Sequence, residues 1–166
     1  MRPAATRPPV PSTLYVAFEL GNTEWKLAMT TCLDSPPLVR TMPARVLKTL
    51  DTEIARAKAH FGLSAGAPVR SCYEAGRDGF WLDRYLGSRG VTNSIVDSSS
   101  IEVNRRRRRT KTDRLDACKL VTMLFRADAG EQKVWSVINV PTLAEEDRRQ
   151  VHRELPLRVA ELEGDI

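Results

Sequence analysis

Cysteine and histidine are both scarce in this chain, and their scarcity narrows the chemistry. Cys32, Cys72 and Cys118 are odd in number, widely separated and without a Cys-x-x-Cys pair. That excludes a disulfide framework and a cysteine-based zinc site, and it fits a reducing cytoplasm. Two histidines, His60 and His152, leave little for histidine-based metal or triad chemistry. No apolar run approaches the roughly 18 residues that span a bilayer, so no membrane partner is expected. The opening "MRPAATRPPVPS" has Arg and Pro but no apolar core. It reads as a short disordered lead over residues 1–12, neither signal peptide nor anchor. If the protein is a catalyst, it works with carboxylates and arginines.

What is present looks globular: 166 residues, 42% hydrophobic and 28% charged, enough for one domain with appended tails. The charge is uneven. Residues 101–114 hold seven basic side chains (Arg105, Arg106, Arg107, Arg108, Arg109, Lys111 and Arg114) against Glu102 and Asp113, which accounts for the whole net charge of +5. From residue 141 onward seven acids face four bases. A basic patch on a neutral body suggests one edge facing a polyanion. An arginine run is expected as a loop, since adjacent like charges oppose regular structure. It suits phosphate contact better than base readout, the alternative being a solvated loop or a targeting patch.

The periodicities predict an order of elements. "TLYVAFEL" (13–20) alternates as a strand, Gly21-Asn22 offers a tight turn, and "EWKLAMTT" (24–31) alternates again, giving a β-hairpin. "PLVRTM" (37–42) reads as a third antiparallel strand. Val46, Leu47, Leu50, Ile54, Ala57 and Phe61 then follow helical spacing, closed by Gly62. A strand over 68–76, a helix over 78–90 and a strand beginning at 91 come next. Thr112 is a fair N-cap for a helix over 113–128, apolar on most sides and expected to pack on the sheet. The result is an α/β mixed sheet flanked by helices, antiparallel first and parallel later.

Four carboxylates stand out. Glu19 and Glu74 fall near the ends of strands, where ligand crevices of open α/β sheets lie. Asp113 and Asp116, three residues apart, would share a helix face. Convergence of all four would be repulsive without a divalent cation, and hard oxygen ligands suit Mg²⁺ or Mn²⁺. Such ions activate a nucleophile and stabilise the leaving oxygen in phosphodiester chemistry. Structural alternatives stay open for each: Asp113 as a first-turn acid, Glu74 as a strand-end surface acid, Glu19 paired with Lys26 across the hairpin. Asp116, on a mostly apolar helix, is the hardest to explain structurally.

The segments "CYEAGRDGFWLDRYLGSRGVTNSIV" and "RRRRRTKTDRLDACKL" resemble the N-terminal domain of the insertion-sequence-110 family of transposases. The family's signature there is Glu-Ala-Gly/Thr-x-x-Gly followed by Lys-Thr-Asp-x-x-Asp-Ala. "YVAFELGNTEWKLA" is similar to its opening strand pair, and "VPTLAEEDRRQVHREL" to the segment leading into its helical connector. The resemblance covers roughly residues 13–155. It implies a RuvC-like, ribonuclease-H-like fold over 13–128 with a DEDD tetrad binding Mg²⁺, carried here by Glu19, Glu74, Asp113 and Asp116. The first position, usually Asp, is Glu19. The family also implies a C-terminal domain supplying a catalytic serine across subunits of a homo-oligomer, a structured guide RNA and DNA as substrate, with a cytoplasmic, nucleoid-associated location. Residues 129–166 are expected to start the connector and then diverge into an acidic tail, with Pro156 breaking the helix begun at 145. The chain therefore reads as a truncated or frameshifted copy, or an isolated domain. The implied function is Mg-dependent recombination of DNA, the alternative a non-catalytic nucleic-acid-binding remnant of a transposase.

Overall fold

The computed structural model describes residues 12–76, 78–101 and 116–149. The arginine run, Lys111, Asp113 and Arg114 lie outside the described residues.

Five strands form one mixed sheet: β1 (Leu14–Leu20), β2 (Glu24–Thr30), β3 (Leu38–Pro43), β4 (Val69–Glu74) and β5 (Thr92–Val96), in the order β3-β2-β1-β4-β5. β1 pairs antiparallel with β2 and parallel with β4; β2–β3 is antiparallel and β4–β5 parallel. Among the described residues, helices α1 (Leu47–His60), α2 (Trp81–Ser88) and α3 (Ala117–Asp128) accompany the sheet, with a short 3-10 helix over Ser98–Ser100 and a further helical stretch over 143–149. This is the expected α/β architecture, a mixed sheet between helices, and it is compatible with a ribonuclease-H-like fold.

The two faces of the sheet are built from different residue sizes, and that difference assigns the helices. One face carries Leu14, Val16 and Phe18 of β1, Trp25, Leu27 and Met29 of β2, and Val69 and Tyr73 of β4, all in one core cluster with Leu50 and Ala57 of α1 and Leu82 and Leu86 of α2. The other face is shallow. Ala17 is in register with Ala28 on one side and with Cys72 on the other, a row of small side chains across three strands. On that floor lie Leu120, Val121 and Leu124 of α3, with Ala117 and Val96. Small residues under a helix let it approach closely, and burial on both faces is the mark of a central strand.

Turn chemistry accounts for the hairpin and for the end of α1. The Gly21 N–H donates to the Glu24 carbonyl oxygen, and a Cβ on Gly21 would lie well inside contact distance of that oxygen. Gly62 follows α1 at φ 68°, the left-handed conformation glycine adopts without strain. Beyond α3, the chain returns to the β5 edge, where Val137 bridges Val96 and the Ile138 N–H donates to Ile95 O at 2.8 Å. β3 keeps the other edge, its residues mostly exposed.

Two sequence expectations change. α3 begins at Ala117, not at 113, and its N-cap is Asp116, not Thr112. Asp116 has extended backbone (φ −65°, ψ 159°) and its carboxylate accepts the Lys119 N–H at 2.8 Å. Because Asp116 precedes the helix, the i, i+3 argument that joined it to Asp113 on one helical face does not hold. On α1, Val46 is exposed rather than inward, while Glu53 is buried beside Arg56, whose guanidinium donates to it at 3.1 Å.

Candidate functional site

Side chains two apart on a strand share a face. Ala17, Cys72 and Ala28 all face α3, so Glu19, Glu74 and Lys26 do as well. Glu19 is the register partner of Lys26 on β2, and Glu74 is one step beyond the last parallel pair, Phe18–Tyr73. Glu19 and Glu74 are thus neighbours on adjacent parallel strands, both at the carboxyl ends.

The direction of α3 brings Asp116 to the same corner. Its C-terminal end lies over the opposite end of β1 and β4: the Tyr15 hydroxyl donates to Asp128 Oδ2 at 2.6 Å, and Arg70 of β4 meets Asp128 Oδ1 at 2.9 Å. Midway, the Cys72 thiol approaches the Leu120 carbonyl oxygen at 3.8 Å. The N-terminus of α3 therefore points toward Glu19 and Glu74. Electrostatics agree: the Cys118 thiol is held above its usual pKa by burial first, then by Asp116, with Glu19 adding to the rise and Lys26 opposing it. The Cys72 thiol is raised by burial and then by Glu74.

The donor set suits a hard cation in kind. Glu19 Oε2 is buried and has no hydrogen-bond partner. A buried carboxylate oxygen left so is costly and calls for a reason. Asp116 spends one oxygen on its cap, and its side chain is exposed. Among the described residues, no three His, Cys, Asp or Glu side chains are grouped closely enough to hold a metal ion. Glu19 and Glu74 are neighbours at the carboxyl ends of β1 and β4, and the N-terminus of α3 brings Asp116 to the same side of the sheet without closing the three into a metal-holding group; Asp113 lies outside the described residues.

A brace under this end escaped sequence reasoning. Arg45, at φ 65°, donates to the Asn22 carbonyl oxygen at 3.0 Å and pairs with buried Asp78 at 3.0 Å. It ties the β1–β2 turn to the β4–α2 turn, the two loops that flank the carboxylates. A lone Arg after an Ala gives no sequence signal for such a role. The helical stretch over 143–149 is fastened to α2 by the Arg84–Glu146 ion pair.

The far end of α3 yields a pH prediction. The Tyr15 hydroxyl is pushed up to about 12 by burial, then by its hydrogen bond to Asp128 and that carboxylate's charge, with Arg70 opposing. A phenol raised in the folded state contributes stability that is complete below the ordinary tyrosine value of about 10 and is lost as pH rises toward 12. Asp128→Asn is expected to lower the Tyr15 midpoint and leave the order of the other tyrosines unchanged. Ring resonances followed by NMR through alkaline pH check this. An unmoved midpoint would mean that burial alone sets it.

The architecture and the carboxylate corner define an α/β chain with a candidate acidic site at the ends of its central strands. No family model matches the chain. Over 87 residues it is 45% identical to a curated protein of Sinorhizobium fredii named "Putative transposase y4rJ". The matched stretch is 52% of this chain and 22% of that protein, so the chain spans well under half the length of its relative. Among the described residues no helix is long and apolar enough to cross a membrane.

Proposed function

We propose that this chain is the N-terminal catalytic part of a DNA transposase of the insertion-sequence-110 type, acting on phosphodiesters with Mg²⁺ or Mn²⁺. The observation that carries the reading is the placement of Glu19 and Glu74 at the carboxyl ends of the adjacent parallel strands β1 and β4, on the face that α3 covers, with a buried Glu19 oxygen unpartnered. The transposase relative supports the class of function.

In this reading Glu19, Glu74, Asp113 and Asp116 would hold the cation. The bound ion supplies charge neutralisation and a more acidic water or hydroxyl. The chain's own residues supply the rest. β1 and β4 fix Glu19 and Glu74 in register. The N-terminus of α3 adds positive dipole potential where phosphate oxygens would lie. Arg105 to Arg109, Lys111 and Arg114 would neutralise the backbone of DNA, and possible guide-RNA contacts fall to the same residues.

Mn²⁺ binding by water-proton relaxation tests this directly, comparing the chain with its Asp113→Asn/Asp116→Asn double variant. Tight binding lost in the variant supports the site. Equal, weak binding by both favours the non-catalytic nucleic-acid-binding reading.

A further inference from the structure

Lys26 stands on the carboxylate corner without being used by it. It is the antiparallel register partner of Glu19, and the pleat that turns Ala28 toward α3 turns Lys26 to the same side. Directly opposed side chains in an antiparallel pair have Cβ atoms about 5 Å apart, close enough for a Lys–Glu pair. None forms. The ion pairs among the described residues do not include Lys26, and Glu19 Oε2 has no hydrogen-bond partner. Lys26 itself is exposed, so its ammonium is open to a ligand arriving at this end of the sheet.

A phosphodiester brought against Glu19, Glu74 and Asp116 meets negative charge on the sheet side. A cation fixed to the sheet on that side, and not consumed by a carboxylate, offsets the repulsion. Lysine suits this as a compact point charge on a flexible stem, which follows an oxygen through small displacements. Resting on the function proposed above, we propose that Lys26 is a substrate-contacting residue: its ammonium donates to a non-bridging oxygen of the phosphodiester seated at the Glu19–Glu74–Asp116 corner. The sheet would thus grip the phosphate from β2.

The test uses the full chain, a fluorescently labelled DNA duplex and a fixed Mg²⁺ concentration. Binding is measured by anisotropy across salt for the wild type, Lys26→Gln and Lys26→Arg. Loss of one phosphate contact should reduce the log–log salt slope by roughly 0.9 in Lys26→Gln, which means about 3-fold less affinity change between about 50 and 200 mM salt, and Lys26→Arg should restore most of it. DNA should also slow acylation of the Lys26 amine in the wild type, read by mass spectrometry. A wild type with no salt-dependent binding would sink the nucleic-acid reading and this inference with it. Salt-dependent wild-type binding with an unchanged slope in Lys26→Gln and no protection of Lys26 overturns this inference alone. If Lys26→Gln lowers the thermal midpoint, the acylation footprint on the unaltered chain decides.

Discussion

Asp116→Asn is expected to abolish tight Mn²⁺ binding, weakening it on the order of a hundredfold or more, while leaving the fold intact. Two roles meet on this side chain. One carboxylate oxygen accepts the Lys119 N–H and caps α3; in the proposed function the negative charge would also serve as a metal ligand. Asn caps nearly as well as Asp, so the helix should keep its stability to within a few tenths of a kcal/mol. It cannot supply an anionic ligand. Partners one shell removed from a metal already cost about 10- to 100-fold in affinity, so a ligand should cost at least the upper end. Asp116→Ala removes both roles and should add about 1 kcal/mol of destabilisation. Calorimetric unfolding beside Mn²⁺ titration separates the two. Wild-type affinity in Asp116→Asn would take the residue out of the site and leave it a cap.

Leu120→Ala should produce the largest loss of stability, about 2–5 kcal/mol, a substantial share of what a domain of this size possesses. Leu120 is 1% exposed and sits in the cluster that docks α3 on the row of Ala17, Ala28 and Cys72. That floor consists of small side chains without long rotamers to swing into the vacancy, so the cavity should persist. Leu143→Ala, at 62% exposure, is the control and should change stability by no more than about 0.5 kcal/mol. Urea unfolding with an unchanged m-value measures both. A cost below about 1 kcal/mol for Leu120→Ala would mean that α3 is not seated as described. Because α3 also presents Asp116, partial undocking should weaken metal binding in proportion.

Much of this was legible in the residues themselves. Leu14, Val16 and Phe18 against Ala17 announced β1, and Gly21 announced the turn. The order of strands and helices implied antiparallel, then parallel pairing, as found. The start of α3 was not legible. Thr112, Asp113 and Asp116 can all cap a helix, and local preference cannot choose among them. The choice falls on Asp116 where buried Ala117 meets the sheet. Nor did alternation reveal that the side of β1 carrying Ala17 is a helix floor rather than a solvent face; that emerges only when Ala28 and Cys72 align beside it. Lys26 was visible as a partner for Glu19, but only the register together with the absent ion pair frees it for another role. The seven basic residues from Arg105 to Arg114, like Asp113, stay where the sequence put them, outside the described residues.

β1 is the third of five strands, hydrogen-bonded along both edges, and β4 is likewise flanked on both sides. Amide protons in such strands exchange with solvent only through openings that approach global unfolding. The half of the acidic corner carried by Glu19 and Glu74 therefore cannot be reshaped by small local excursions. Asp116 is different: it stands at the frayable first turn of a helix, held by one side-chain hydrogen bond. Deuterium uptake should be slowest at Phe18 and Tyr73 and faster at Lys119. Any closing of the corner around a ligand must then be a movement of the helix start toward a stationary sheet.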